Sequence, residues 1–273
     1  MTDFAAAWDK WFPVIEGGAR PVTAHMIERA HLAPGHRVLD IATGIGEPAL
    51  SAAQRVAPGG EVLAVDLSAE MIARARERAR ASGIENIRFE QLDGEALALE
   101  PQSFDAVFCR WGFMFLRDLP GLLARLHDTL VPGGRLVAVV WGPADQAPAV
   151  GLAARAAHRF LDRGHPDEGP LTPFALADVE AFQDTLRQSG FAAVSGEWLD
   201  VVYTFDSTAA YVTFRADCSV ALQTLLKDLT QARREAALVA VGEAAQDYAM
   251  KDGRIRMVNR CFCAVAERGT TSL

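Results

Sequence analysis

The sequence predicts an α/β fold built on a doubly wound, mostly parallel sheet. Three observations predict it. Short apolar runs alternate with amphipathic helical segments. Gly- and Pro-bearing turns bound the runs, and the first run opens into a Gly-rich loop ahead of a helix. Such alternation covers both faces of a sheet with helices and makes each crossover right-handed.

The first 35 residues read as an N-terminal helical lid. Phe4, Trp8, Trp11 and Ile15 repeat at helical spacing. Pro13 is expected to kink or end that helix, and Gly17-Gly18 to break it. A second short helix is expected from Thr23 to His31, before the Ala33-Pro34-Gly35 turn. Residues 36–206 form the Rossmann-like core. Strands are predicted at Arg37–Ile41, Glu61–Asp66, Asn86–Gln91, Phe104–Cys109 and Arg135–Trp141. Pro48 suits the first turn of a helix that ends near Ala57, ahead of Pro58-Gly59-Gly60. Ser68 is the expected N-cap of a helix over Ala69–Ala81, closed by Gly83. Leu119, Leu122, Leu123, Leu126 and Leu130 mark the buried face of another helix.

A helical insert is expected near 143–175, with a helix over Val150–Leu161 and a Gly- and Pro-rich loop over 163–173. A helix over Asp178–Ser189 ends at Gly190, and a strand covers roughly Trp198–Phe205. Residues 207–252 read as a helical cap inserted before the last strand, Ile255–Ala266, and 253–273 as that strand and the tail. The sum is a seven-stranded sheet with a late antiparallel strand. A helical block between two late strands belongs over the carboxyl edge, where ligands bind in open α/β sheets.

Composition narrows the function. Of 273 residues half are hydrophobic and 23% are charged, a globular balance with ample material for a core. The net charge of −8 lacks the basic footprint that nucleic acid requires. Four cysteines in a chain this long fit a reducing compartment better than a disulfide framework. No apolar run approaches the length of a membrane span, and Met-Thr-Asp-Phe does not start a secretory signal. The expectation is a cytoplasmic protein with no membrane or nucleic-acid partner. His158 and His165 lie seven apart with no carboxylate cluster to complete a metal site, so none is expected.

The chemistry sits in the first loop, Asp40-Ile41-Ala42-Thr43-Gly44-Ile45-Gly46-Glu47-Pro48. Gly44 and Gly46 permit tight turning, and the helix after Pro48 aims free N–H groups at the same space. Gly44-x-Gly46-x-x-Ala49 also satisfies a dinucleotide fingerprint, with Asp66 as its ribose acid. Two details argue otherwise. Asp40 stands four residues before Gly44, where a carboxylate repels a pyrophosphate. Asp93-Gly94 adds an acceptor after the third strand. Acids at three successive strand ends suit a ligand with an ammonium, a ribose diol and an exocyclic amine. S-adenosylmethionine is such a ligand.

The stretch Val38-Leu39-Asp40-x-Ala42-x-Gly44-x-Gly46 resembles the first motif of the class I S-adenosylmethionine-dependent methyltransferases. Val65-Asp66-Leu67-Ser68-x-x-Met71, Asp93-Gly94, Phe104-Asp105-x-Val107 and Leu130-x-Pro132-Gly133-Gly134-x-Leu136 extend the likeness over about residues 36–142. With Arg110-Trp111-Gly112-Phe113-Met114-Phe115, it is similar to the small-molecule group related to quinone-biosynthesis C-methyltransferases. The resemblance implies that Asp40 and Gly44, with Ala42 and Gly46 in the same loop, face the methionine end of the cofactor. It implies that Asp66 holds the ribose hydroxyls and that Leu67, with Met71 nearby, packs on adenine. Asp93 then accepts from the adenine amine, with Gly94 and Glu95 beside it, and Arg110 lies near the methyl group. Ala42 replaces the family's first glycine, and its methyl is tolerable with ordinary backbone dihedrals.

The expected reaction is in-line methyl transfer to a small aromatic or partly hydrophobic acceptor. Positioning of this kind supplies roughly 7–11 kcal/mol of a barrier. Trp8, Trp11, Phe12, Trp111, Phe113 and Phe115 are candidates to face a cationic group, against a more ordinary role in packing. His25, His158, His165, Tyr203, Tyr211 and Tyr248 are candidate bases. Of these His25, on the lid, joins Arg110 as a candidate catalytic residue, with Arg110 orienting an acidic substrate group. Cys261 and Cys263 share a strand face and read as buried packing, while Cys109 ends the fourth strand near the pocket. A nicotinamide-dependent oxidoreductase and a non-catalytic cofactor-binding module are the alternatives.

Overall fold

The computed structural model describes residues 4–97, 99–164 and 171–270. Seven strands form one sheet: β1 (Arg37–Ile41), β2 (Glu61–Asp66), β3 (Ile87–Gln91), β4 (Phe104–Arg110), β5 (Leu130–Trp141), β6 (Ala193–Phe205) and β7 (Ile255–Glu267). Their order is β3-β2-β1-β4-β5-β7-β6, and β7 runs antiparallel to both neighbours. The other six strands point one way, so their carboxyl ends form one edge. β1 and β4 are central, and the turn in strand order beside β1 opens a crevice there.

Nine helices accompany the described strands: α1 (Phe4–Arg29), α2 (Ala49–Val56), α3 (Ala69–Ala81), α4 (Leu119–Thr129), α5 (Pro148–Phe160), α6 (Val179–Gln188), α7 (Thr208–Cys218), α8 (Val220–Leu226) and α9 (Gln231–Ala245). Ser68 caps α3 by accepting from Met71 N, and Asp178 caps α6 by accepting from Ala181 N. The leucine face of α4 is buried in the core. The segment holding α7, α8 and α9 leaves the sheet at Phe205 and re-enters opposite it at Ile255, at the carboxyl edge.

Three sequence expectations need correction. α1 is one helix through Pro13, Gly17-Gly18 and Pro21, not two short ones. Pro13, Gly17 and Pro21 are spaced by four and all lie on the exposed face, so the breakers share one wet flank. Gly18 faces inward for a different reason: a Cβ there would come within 2.6 Å of the Val202 carbonyl oxygen. The glycine lets α1 press onto β6 rather than end. β5 begins at Leu130, five residues before its predicted start, and a register shift against β4 absorbs the Pro-Gly-Gly turn. β6 begins at Ala193, because its first half is a mostly exposed edge whose polar and Gly residues carry no alternating signal. Of the loop expected over 163–173, residues 165–170, with His165, lie outside the described residues.

Among the described residues no helix is long and apolar enough to cross a membrane.

Candidate active site

A cavity of about 650 Å³ opens at the carboxyl edge. Its lining comes from the loops after β1, β2, β3 and β4, with α1 closing one side and Leu171 contributing at another. It lies within the usual size range of a small-molecule site, roughly 300–1,000 Å³.

The loop after β1 turns through Gly44 at φ 56° and Gly46 at φ 116°. Among the described residues a Cβ on Gly44 would meet nothing within 4 Å, so that backbone is open to a ligand. Gly46 is different. It lies outside the lining, and a Cβ there would come within 2.9 Å of Leu50, so its absent side chain serves packing against α2. Ala42 lines the cavity at φ 57°, a left-handed conformation, so the condition of ordinary dihedrals set for its methyl is not met.

Asp66 ends β2 and is braced by its own loops. Its Oδ2 accepts from Gly44 N at 2.9 Å and its Oδ1 from Ser68 N at 2.9 Å. Burial pushes its carboxyl above the ordinary value, and the amides of Ser68 and Gly44 pull it back. Each oxygen retains a lone pair, the arrangement a vicinal diol requires. Beside it Leu67 is 69% exposed at the cavity mouth. Asp93 accepts from Glu95 N at 2.9 Å, and Gly94 and Met71 join the lining. Glu95 also lines the cavity, but its Oε1 accepts from the backbone N–H groups of Arg117 and Asp118. Its carboxylate organises the approach to α4.

Asp40 does not line the cavity. It is fully buried beneath the loop, and neither carboxylate oxygen has a hydrogen-bond partner among the described residues. Burial raises its pKa to about 7; Thr43 and Arg110 work against that, and Glu47 and Asp66 add to it.

Arg110 ends β4 and forms part of the cavity wall, but its fork is already engaged. It donates to both oxygens of Glu16 on α1 and to Thr23 Oγ1 at 2.7 Å. Burial works to lower its pKa, yet the charge and hydrogen bonds of Glu16 hold it above the ordinary value. The expectation that Arg110 orients an acidic substrate group is therefore corrected: it ties α1 to the end of β4. Glu16 and Glu47 both line the cavity, and neither was singled out in the sequence. Burial and then Glu16 raise the Glu47 carboxyl, against its bond from Ser51. Glu16 lies off the apolar stripe of Phe4, Trp8, Trp11 and Ile15, seven residues before Thr23, and its burial shows only in the packed structure.

His25 lies outside the cavity lining, with Nε2 3.0 Å from Glu197 Oε1 on β6. The long α1 turns it toward the sheet's far edge, which removes it from the candidate catalytic set. No histidine or tyrosine among the described residues lines the cavity. His158 contacts the Gly164 carbonyl at 2.7 Å, and Tyr203 and Tyr211 are buried. Of the aromatic candidates Trp8, Trp111 and Phe115 line the cavity. Trp11 instead packs on Phe205 and Phe214, Phe12 lies under Arg78, and Phe113 is in the core. Cys109 is buried behind Gly112, and Cys261 and Cys263 are fully buried. No group of three His, Cys, Asp or Glu among the described residues is placed to share a metal.

Comparison with known proteins adds to this geometry. The methyltransferase domain model matches residues 38–134. A demethylmenaquinone methyltransferase of Deinococcus radiodurans is 38% identical over 168 residues, covering 57% of this chain and 67% of the relative. One of Thermus thermophilus is 42% identical over 119 residues, covering 44% of this chain and 53% of the relative. The chain thus spans about half the length of that relative. Among solved structures, the YcgJ protein of Bacillus subtilis superposes with a TM-score of 0.57 at 20% identity, covering 92% of this chain and 99% of that one. At that identity the likeness speaks for the fold.

Proposed function

The chain belongs to the S-adenosylmethionine-dependent methyltransferase family, and from that premise we propose that it transfers a methyl group to a small aromatic acceptor of the quinol or phenol type. The observation that carries the reading is the cavity wall at the ends of β1, β2 and β3, where an open glycine backbone stands beside two braced acids. The acceptor class draws support from the relatives, whose names place a demethylmenaquinone on the acceptor side.

The residues present fit the cofactor. Asp66 has acceptor capacity for ribose hydroxyls, exposed Leu67 offers an apolar face to adenine, and Asp93 is placed for the exocyclic amine. The open backbone at Gly44 leaves room for the methionine end. When bound, S-adenosylmethionine supplies an electrophilic sulfonium methyl. This chain's part is to position and to exclude water. Phe4 and Trp8 on α1 pack with Ile45 and Met71, which closes the cavity over the first loop. Arg110, through Glu16 and Thr23, holds α1 in that place as a positioning residue. We place α1 as the lid and 207–252 as the cap of this arrangement.

Calorimetric titration with S-adenosylhomocysteine, with NADH in parallel, tests the reading. Micromolar binding of the first and none of the second is expected; the reverse would overturn it. Asp66→Ala should weaken S-adenosylhomocysteine about 100-fold, since it removes two charge-assisted acceptors and the brace of Gly44 N. Unchanged affinity would remove Asp66 from the site.

A further inference from the structure

Two residues of the cavity wall, Trp8 and Trp111, have buried indole N–H groups with no partner among the described residues. Trp11, which is outside the cavity, is satisfied by Asp217 at 2.9 Å. An indole nitrogen only donates. A buried donor without an acceptor costs about 1–3 kcal/mol, so such groups are rare in native structures unless a ligand or water completes them.

Trp111 is held from several sides, with the Arg110 guanidinium 5.0 Å from its ring. Its ring stacks on Trp141 at 4.5 Å and 4°. Its backbone N–H donates to Val139 O at 2.8 Å. Its φ is 59°, a left-handed conformation that a bulky residue rarely adopts, and strain of this kind gathers where function fixes a side chain. The next residue is Gly112, where a Cβ would come within 2.5 Å of the Ala42 methyl. Trp111 thus stands where the first loop meets the ends of β4 and β5. Half-exposed Phe115 lines the same cavity and offers an apolar face to a ring.

We propose that the Trp111 indole N–H is a specificity-determining donor that binds a ring oxygen of the methyl acceptor. The assignment rests on the methyltransferase reading above. It selects acceptors with a hydroxyl or carbonyl on the ring and leaves an unsubstituted ring with a desolvated donor unmatched. Trp8 packs over Ile45 of the first loop and serves as the internal comparison.

The test uses the full chain labelled with ¹⁵N. Its five tryptophans give five indole resonances, and Trp111→Phe identifies one by its loss; Trp111→Tyr serves if that variant does not fold. S-adenosylhomocysteine is added to saturation, then 1,4-dihydroxynaphthalene under anaerobic conditions. The Trp111 resonance should move downfield on the second addition and stay near its place on the first, with Trp8 doing the opposite. In calorimetry the variant should bind the naphthalenediol about tenfold more weakly, with S-adenosylhomocysteine affinity within twofold. Three results overturn the assignment: a Trp111 resonance that ignores the diol, a variant that loses both ligands equally, or saturated wild-type protein that does not bind the diol. Failure of the wild-type chain to bind S-adenosylhomocysteine is a separate result, which removes the methyltransferase reading and this assignment with it.

Discussion

The two sides of the cavity are held by different kinds of contact. On the side of β2 and β3, Asp66 and Asp93 are braced by backbone N–H groups of the loops at the strand ends. Asp66 takes Ser68 N two residues away and Gly44 N twenty-two away, and Asp93 takes Glu95 N two away. On the side of α1 the contacts are between side chains far apart. Arg110 meets Glu16 across 94 residues and Thr23 across 87, and Trp11 meets Asp217 across 206. The first side is a property of loops, and the second is a property of assembly. Local bracing holds the wall at β2 and β3 through its own loops, whereas the seating of α1 depends on a buried charge pair.

Breaking that pair should give the largest effect. The side chains of Arg110 and Glu16 are 7% and 11% exposed. Arg110→Ala leaves a buried carboxylate unpaired, which costs about 3–5 kcal/mol. Urea unfolding should show that loss. A double replacement, Glu16→Leu with Arg110→Met, should recover most of it, because apolar side chains of similar size remove both charges together. A double variant as unstable as the single one would mean that the pair does not anchor α1.

The same division explains what could be read from the sequence. Arg37–Ile41, Glu61–Asp66 and Ala69–Ala81 are found where predicted, because strand ends, caps and glycine turns leave local marks. Asp66, Asp93 and Gly44 follow from those marks. The continuity of α1 does not, since Pro13 and Gly17 look like breaks until their shared exposed face is known. His25 falls outside the cavity for the same reason: its direction depends on how α1 lies on β6. The occupation of Arg110 by Glu16 was equally hidden, as was the stack of Trp111 on Trp141. Tertiary contacts decided all of these, and neither spacing nor propensity reports them.

Asp40 differs from Asp66 and Asp93: its carboxylate takes no N–H from the loops among the described residues. Its carboxyl is pushed to about 7 by burial, from an ordinary 3.8. Below about pH 4 the folded and unfolded chains are both protonated there. As pH rises toward 7 the unfolded chain loses the proton and the folded chain keeps it, so stability falls over that window. The deficit is complete above pH 7 and amounts to at most about 4 kcal/mol. Asp40→Asn removes this dependence. The stability difference between variant and wild type should therefore be near zero at pH 4 and grow in favour of the variant to pH 8. A difference that does not change with pH would show that Asp40 is ionised at little cost, through a partner it gains in solution.

Ala42 is where the two sides touch, and it carries the smallest expected effect. Its left-handed φ of 57° costs about 1 kcal/mol more than the same conformation in glycine. Its methyl fills the space beside Gly112, one residue from the Trp111 ring. Ala42→Gly relieves the strain but also frees the unfolded chain, which offsets part of the gain. The expected result is a stability increase of less than about 1 kcal/mol, with S-adenosylhomocysteine affinity unchanged, because the cofactor wall is braced through Gly44 and Asp66 and not through this methyl. Thermal unfolding with and without the ligand separates the two quantities. If affinity falls while stability rises, the methyl holds the loop in register with Trp111, and the two sides of the cavity are coupled through the Ala42–Gly112 contact rather than independently built.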